Sequence, residues 1–154
     1  MRLVFDMEAD NLLYRVTRMW CIVAKDIDTG EIYRWTPDAL EAGLSFLSKA
    51  EVLIGHNIIG YDLPVFQKLH NFTYFGELFD TLVVSRLQYP DRPRPANYVG
   101  KAVHSVEAWG MRFGLPKPPH EDWSQFSEEM LHRCEQDVLI TERIYKYLLE
   151  EAKK

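Results

Sequence analysis

The order of the predicted elements constrains the fold of this chain more than any other feature. A short apolar run at residues 3–5 precedes a predicted β-hairpin, in which residues 20–24 and 32–35 flank a turn that contains Gly30. After the hairpin, short apolar runs alternate with helical patterns. This order predicts an α/β fold: a mixed central sheet of antiparallel hairpin strands and parallel strands, flanked by helices.

Helix and loop signals divide the second half of the chain. Residues 105–113 form a predicted short helix, and Ser127 begins a predicted long helix that runs to the C-terminus. The proline-containing stretches 89–103 and 115–122 are predicted loops. A length of 154 residues suits one domain, so we expect residues 1–154 to form a single domain.

Charge and hydropathy narrow the classes of function. The formal net charge is −5, so any nucleic-acid role cannot depend on a broad basic surface and would need a local site supplied with cations. No apolar run approaches the roughly 20 residues that span a bilayer, and Asp6 interrupts the position of a signal-peptide core, so we expect a cytoplasmic protein. Cys21 and Cys134 have no metal-ligand spacing and are predicted to be small buried residues.

Two carboxylates follow the first apolar run. Asp6 and Glu8 stand at positions i and i+2, which share one face of a strand. Carboxylates held close together repel each other unless a proton or a cation lies between them, and oxygen ligands favour Mg²⁺ or Mn²⁺. Because D-x-E is common, a solvated strand end or a turn is the favoured explanation of this pair on its own.

Two further acids stand at the ends of other predicted elements. Asp62 follows a second apolar run at the start of a helix, where it is either a functional carboxylate or an ordinary N-cap. Asp137 precedes three apolar residues in the last helix and is therefore close to a buried face. Its ordinary partner would be Arg133, one turn earlier, and its functional partner would be a metal ion.

Taken together, these acids resemble the motifs of the DEDD, or DnaQ-like, family of 3′→5′ exonucleases, a branch of the ribonuclease H-like fold. Asp6 and Glu8 match the first motif, Asp62 the second and Asp137 the third. The resemblance extends over nearly the whole chain. Residues 79–87 and 105–110 are also similar to the proofreading exonuclease domain of phage family A DNA polymerases.

The resemblance implies an enzyme that hydrolyses phosphodiester bonds at the 3′ end of single-stranded DNA, in proofreading or end processing. Two divalent ions, Mg²⁺ or Mn²⁺, would be held by the four acids. The implied partners are nucleic acid and a DNA polymerase in trans, in the cytoplasm of a bacterium or a phage-infected host. The alternatives are a non-catalytic domain of the same fold that binds nucleic acid or a partner, and an endonuclease of the superfamily.

The resemblance also implies roles for residues near the acids. Met7, Leu12 and Tyr61 are the expected contacts of the terminal bases, which apolar and aromatic side chains can wedge or stack. Asn57 is expected to form a hydrogen bond to the terminal nucleotide.

The third motif departs from the phage polymerase pattern, which has tyrosine four residues before the last aspartate. Arg133 takes that position here, whereas His132 fits the subgroup that has a histidine five residues before the aspartate. His132 is therefore the predicted general base, with His120 as its rival. In an unbroken helix, Arg133 would lie within about 40° of Asp137 and His132 about 140° away. The histidine assignment thus requires loop or a helix break near Arg133, unless His132 swings in when substrate binds.

Overall fold

A five-stranded sheet forms the centre of the computed structural model, which describes residues 1–115 and 118–154. The strand order is β3-β2-β1-β4-β5. β2 pairs antiparallel with β1 and with β3, whereas β4 pairs parallel with β1 and with β5. The strands are Arg2–Ala9 (β1), Met19–Asp26 (β2), Ile32–Trp35 (β3), Val52–Gly55 (β4) and Glu77–Asp80 (β5). The predicted mixed α/β sheet is confirmed.

Five α-helices accompany the sheet. They are Leu40–Ser48 (α1), Leu63–His70 (α2), Thr81–Gln88 (α3), Val106–Phe113 (α4) and Glu128–Glu151 (α5). A 3₁₀ turn at Pro37–Ala39 precedes α1, and a π-helical turn at Ile58–Asp62 precedes α2. No helix in the described part of the chain combines the length and apolar character needed to cross a membrane.

Local sequence signals explain the ends of α4 and α5. The Ser105 hydroxyl caps α4 by accepting a hydrogen bond from the Ala108 amide, and Gly114 ends that helix at φ 70°. The Ser127 hydroxyl caps α5 by accepting from the Met130 amide. Residues 89–105 contain no helix or strand, as predicted for the loop at 89–103. The other predicted loop, 115–122, includes Pro116 and Lys117, which lie outside the described residues.

The helices cover both faces of the sheet. Helix α5 lies on one face, where the buried side chains include Val4, Cys21, Ile54 and Cys134. Helices α1 and α2 cover the other face, with a core that includes Leu3, Phe5, Leu47 and Phe66. Because side chains alternate along a strand, the even-numbered residues of β1 face α5. This alternation points the acids of β1 toward the long helix.

Candidate active site

Strand β1 holds the first two acids side by side, with Cys134 of α5 beside them. Carboxylate oxygens of Asp6 and Glu8 lie within 4.8 Å of each other and of the Cys134 sulfur. Burial, followed by a hydrogen bond with Cys21, raises the pKa of the Cys134 thiol well above its usual value. In the absence of a metal ion this shift favours the neutral thiol, so the carboxylates are the anionic groups of this cluster. Cys21 and Cys134 are both free and buried, as predicted.

The π-helical turn that carries Asp62 is fixed by Asp80, which ends β5. The Asp80 carboxylate accepts hydrogen bonds from the amides of Asn57 at 2.8 Å and Ile59 at 3.0 Å. It also accepts from the Leu82 amide at 3.0 Å and so caps α3. Asn57 adopts a left-handed conformation, with φ 60°, that asparagine tolerates better than most residues. One buried carboxylate thus joins the start of α3 to the turn before Asp62.

The Asp62 side chain does not act as an ordinary helix cap. Asp62 precedes α2, but its carboxylate accepts no capping hydrogen bond from that helix. It is 4% exposed, and its Oδ2 has no hydrogen-bond partner among the residues that the structure describes. Burial, and then the charges of Glu8, Asp80 and Asp137, raise the pKa of this carboxyl well above its usual value. Such a group requires either a proton or a cation.

Helix α5 brings Asp137 to the same place. The four predicted acids line one cleft of about 200 Å³, which Thr141, one turn beyond Asp137, also lines. Asp62 and Asp137 are 4% and 5% exposed, so charges on them are poorly screened by water. Four carboxylates in so small a cleft suit divalent cations, because a buried cluster of like charges is unstable without them.

Arg133 is an arginine that the structure places among these acids. Its Nη1 lies 3.8 Å from a Glu8 oxygen, and its Nε donates a hydrogen bond to the Pro118 carbonyl at 3.0 Å. Its guanidinium carbon is 4.9 Å from the centre of the Trp123 ring. Arg133 therefore connects the acids to the segment that precedes α5.

A second cavity adjoins the acids. It has a volume of about 340 Å³, and three of the predicted base contacts line it, namely Met7, Leu12 and Tyr61. Trp123 completes its apolar wall. The Tyr61 hydroxyl donates to the Asn11 carbonyl at 2.5 Å, and burial, together with nearby acids, raises the pKa of Tyr61 to about 12. The fourth predicted contact, Asn57, lines the acidic cleft itself.

The structure does not bring the predicted general base to the cleft. Helix α5 is continuous from Glu128 to Glu151, so the helix break that the His132 assignment requires is absent. His132 is exposed, because five residues of helix turn it about 140° away from Asp137. His120 contacts the Trp123 ring at 4.7 Å and does not line the acidic cleft in the described residues. Arg133, and not a histidine, occupies the third-motif position beside the acids.

Comparisons with known proteins agree with this architecture. No protein-family model matches the chain. The chain is 31% identical to the DNA-directed DNA polymerase of Enterobacteria phage T3 and 30% identical to that of Escherichia phage T7, over 97% of its own length in each case. It spans 27% of these relatives, or about a quarter of their length. Brucella melitensis NrnC has a similar fold at 20% identity, with a TM-score of 0.71 over 99% of this chain and 74% of NrnC.

The fold and the acid motifs define the class of protein as a ribonuclease H-like domain. Within that class, the chain is homologous to part of the phage T3 and T7 polymerases, and its fold is that of DnaQ-like exonucleases such as NrnC.

Proposed function

We propose that this protein is a 3′→5′ exonuclease that shortens single-stranded DNA in proofreading or end processing. One observation carries the proposal: acids from β1, the turn before α2, and α5 converge on a single small cleft. A domain that only binds nucleic acid has no need to gather four carboxylates, three of them buried, in one cleft, since each adds repulsion and desolvation cost. Residues 1–154 would act as one exonuclease domain.

The four acids would hold two divalent ions, Mg²⁺ or Mn²⁺. A metal ion would suit this cleft because the Asp62 Oδ2 atom is buried without a hydrogen-bond partner among the described residues. NrnC, which shares the fold, has been solved with bound Mg²⁺. Ions bound here would supply Lewis-acid stabilisation of the phosphate and a lower pKa for the attacking water. Asp6, Glu8, Asp62 and Asp137 would be the ligands that hold the two ions.

The adjoining cavity would hold the terminal bases of the strand. Met7 and Leu12 offer apolar contact, and the rings of Tyr61 and Trp123 offer stacking surfaces. NrnC has also been solved with the dinucleotide pGG. An acidic chain has little electrostatic grip on duplex DNA, which favours a frayed or single-stranded end. The similarity to the phage polymerases supports DNA as the substrate and a polymerase as a partner in trans.

Arg133 would act on the phosphate and not as the base. A guanidinium stays protonated in proteins, so it cannot accept the proton of the attacking water. It is a bidentate donor that can contact a phosphate oxygen and hold Glu8 in place at 3.8 Å. Since His132 is exposed on the far side of α5, the candidate proton acceptors that line the cleft are its carboxylates and the His56 ring.

End-labelled substrates test this proposal. With single-stranded DNA labelled at its 5′ end and Mg²⁺ present, we expect a ladder of products that shortens stepwise, and no cutting of a circular strand. Asp137→Asn should abolish the ladder, whereas Asp38→Asn, at an exposed acid near α1, should leave it intact. Cutting of the circle at the linear rate would favour an endonuclease. Tight binding without cutting by the wild type would favour a non-catalytic domain.

A further inference from the structure

Another cavity, of about 540 Å³, lies toward the C-terminal end of α5, away from the acids and from the 340 Å³ cavity beside them. It is bounded by the loop after α3 and by the C-terminal ends of α4 and α5. From Asp137 to Glu151, α5 advances about 21 Å, at 1.5 Å per residue. The lining residues are Tyr89, Arg92, Pro93, Pro95, Trp109, Arg112, Phe113, Tyr147 and Glu151. None of them lines the acidic cleft or the cavity beside it.

Two guanidinium groups share this cavity with a single carboxylate. Arg92 is 7% exposed and forms a two-point ion pair with Glu151, at 2.6 and 2.8 Å. Arg112 has no such partner, and its only hydrogen bond among the described residues is to the Pro93 carbonyl, at 2.8 Å. Burial and the neighbouring Arg92 charge lower the pKa of Arg112. The cavity therefore carries an excess positive charge in a protein whose net charge is −5.

Two buried donors at this site have no acceptor in the described part of the chain. They are the Nη1 group of Arg112 and the indole Nε1 of Trp109, whose side chain is almost fully buried. Buried donors in folded proteins nearly always have a partner, so these two atoms favour a side-chain movement that brings them to an oxygen acceptor in the cavity. Both guanidinium carbons lie 4.7 Å from the centre of the Trp109 ring, which holds the two charges close together.

Aromatic side chains form the remaining wall. Tyr89 and Tyr147 are 49% and 46% exposed at the rim, and Phe113 lies 6.1 Å from Tyr147, ring centre to ring centre. Rings presented in this way stack on flat ligands. Arginine forks bind phosphate oxygens in a bidentate manner. A volume of about 540 Å³ is in the range of small-molecule sites and exceeds what an inorganic anion needs.

We propose that this cavity binds a nucleotide, with the phosphate on Arg112 and the base against Tyr147. The nucleotide is either free or part of a single strand. The site is separate from the acids, and its occupancy does not require hydrolysis. It would give the protein a nucleotide contact outside the cleft, since Tyr147 lies about 9 Å farther along α5 than Thr141, which lines the cleft.

Calorimetry in EDTA tests this site without the metal cleft. We expect dTMP to bind at least tenfold more tightly than thymidine or inorganic phosphate. Arg112→Lys, which keeps the charge but loses the fork, and Tyr147→Ala should each weaken dTMP binding at least tenfold. Asp6→Asn should leave it unchanged, and circular dichroism should show that all three variants are folded.

Oligonucleotides separate the two sources of the ligand. Tighter binding of a 5′-phosphorylated hexathymidylate than of dTMP, lost in Tyr147→Ala, would identify a nucleotide of the strand, and equal binding would identify a free nucleotide. The proposal is overturned if dTMP binds no better than phosphate, or if both cavity variants bind dTMP as the wild type does. Since hydrolysis is not measured, these results stand whether or not the protein proves to be an exonuclease.

Discussion

Replacing Arg133 by methionine should slow hydrolysis while tightening Mg²⁺ binding. Methionine keeps much of the apolar stem but removes the charge that lies 3.8 Å from Glu8. It also removes the hydrogen bond to the Pro118 carbonyl and the contact with the Trp123 ring. The guanidinium repels cations that share its carboxylate, yet it attracts the phosphate. The substitution should therefore strengthen Mg²⁺ binding and weaken the interaction with the phosphate.

The magnitudes follow from these contacts. Loss of one preorganised donor to a reacting oxyanion typically slows catalysis by about 10²–10³. Arg133 and Glu8, as two unit charges about 4 Å apart, attract each other by about 4 kcal/mol at an effective dielectric constant of 20. Removing this competitor for the Glu8 carboxylate should lower the half-saturating Mg²⁺ concentration, by about tenfold after screening. Loss of a charged hydrogen bond and a cation–π contact should cost about 2–4 kcal/mol of folding stability.

The assay is single-turnover hydrolysis of 5′-labelled single-stranded DNA over a Mg²⁺ titration. Arg18→Met is the matched control, because Arg18 is an exposed arginine that also lies over a tryptophan, at 5.3 Å from the Trp20 ring centre. It should change neither the rate nor the Mg²⁺ requirement. An unchanged rate for Arg133→Met at saturating Mg²⁺, or a higher Mg²⁺ requirement, would refute the role assigned to Arg133.

Three further predictions concern neighbouring residues. His132→Ala should retain the wild-type rate within about threefold and an unchanged pH–rate profile, because His132 is exposed and the unbroken helix turns it away from the cleft. A large loss of rate would instead support His132 as the general base. Because the Asp62 pKa is raised above 3.8, the protonated acid favours the folded state, so in EDTA the wild-type stability should fall as pH rises through that raised pKa. Calorimetric melting should show that Asp62→Asn abolishes this fall and raises the melting temperature at pH 7; a steeper fall would contradict the shift. Asp80→Ala should cost about 1–3 kcal/mol in denaturant unfolding, because it removes the acceptor of the part-buried hydrogen bonds from the Asn57 and Ile59 amides. A loss below about 0.5 kcal/mol, on the scale of ordinary surface substitutions, would contradict this.

The sheet was predictable because it depends on local patterns, whereas the convergence of the acids was expected from their resemblance to the exonuclease motifs. The hairpin, the strand–helix alternation and the caps at Ser105 and Ser127 are each encoded within a few residues. Two-residue periodicity placed Asp6 and Glu8 on one face, and α5 packs against that face. The roles of the acids remain predictions that the experiments above test.

Contacts between distant segments could not be predicted in the same way. Asp80 fixes the turn that carries Asp62 by accepting hydrogen bonds from amides 21 and 23 residues earlier in the chain. A pattern confined to a few neighbouring residues cannot predict a contact over that sequence separation. Trp123 reaches the cavity from a loop whose path depends on Arg133. For His132, helical geometry alone gave the observed exposed position, whereas the family's histidine spacing favoured the cleft.

The central claim is that the acids catalyse metal-dependent hydrolysis from a 3′ end, and Asp6→Ala in parallel with the wild type tests it most directly. Both proteins are incubated with 5′-labelled single-stranded DNA in Mg²⁺ and in EDTA, after circular dichroism and melting have shown that both are folded. We predict a stepwise ladder for the wild type in Mg²⁺ and intact substrate in the other three reactions. Equal digestion by Asp6→Ala, or by the wild type in EDTA, would contradict the assignment of the cleft.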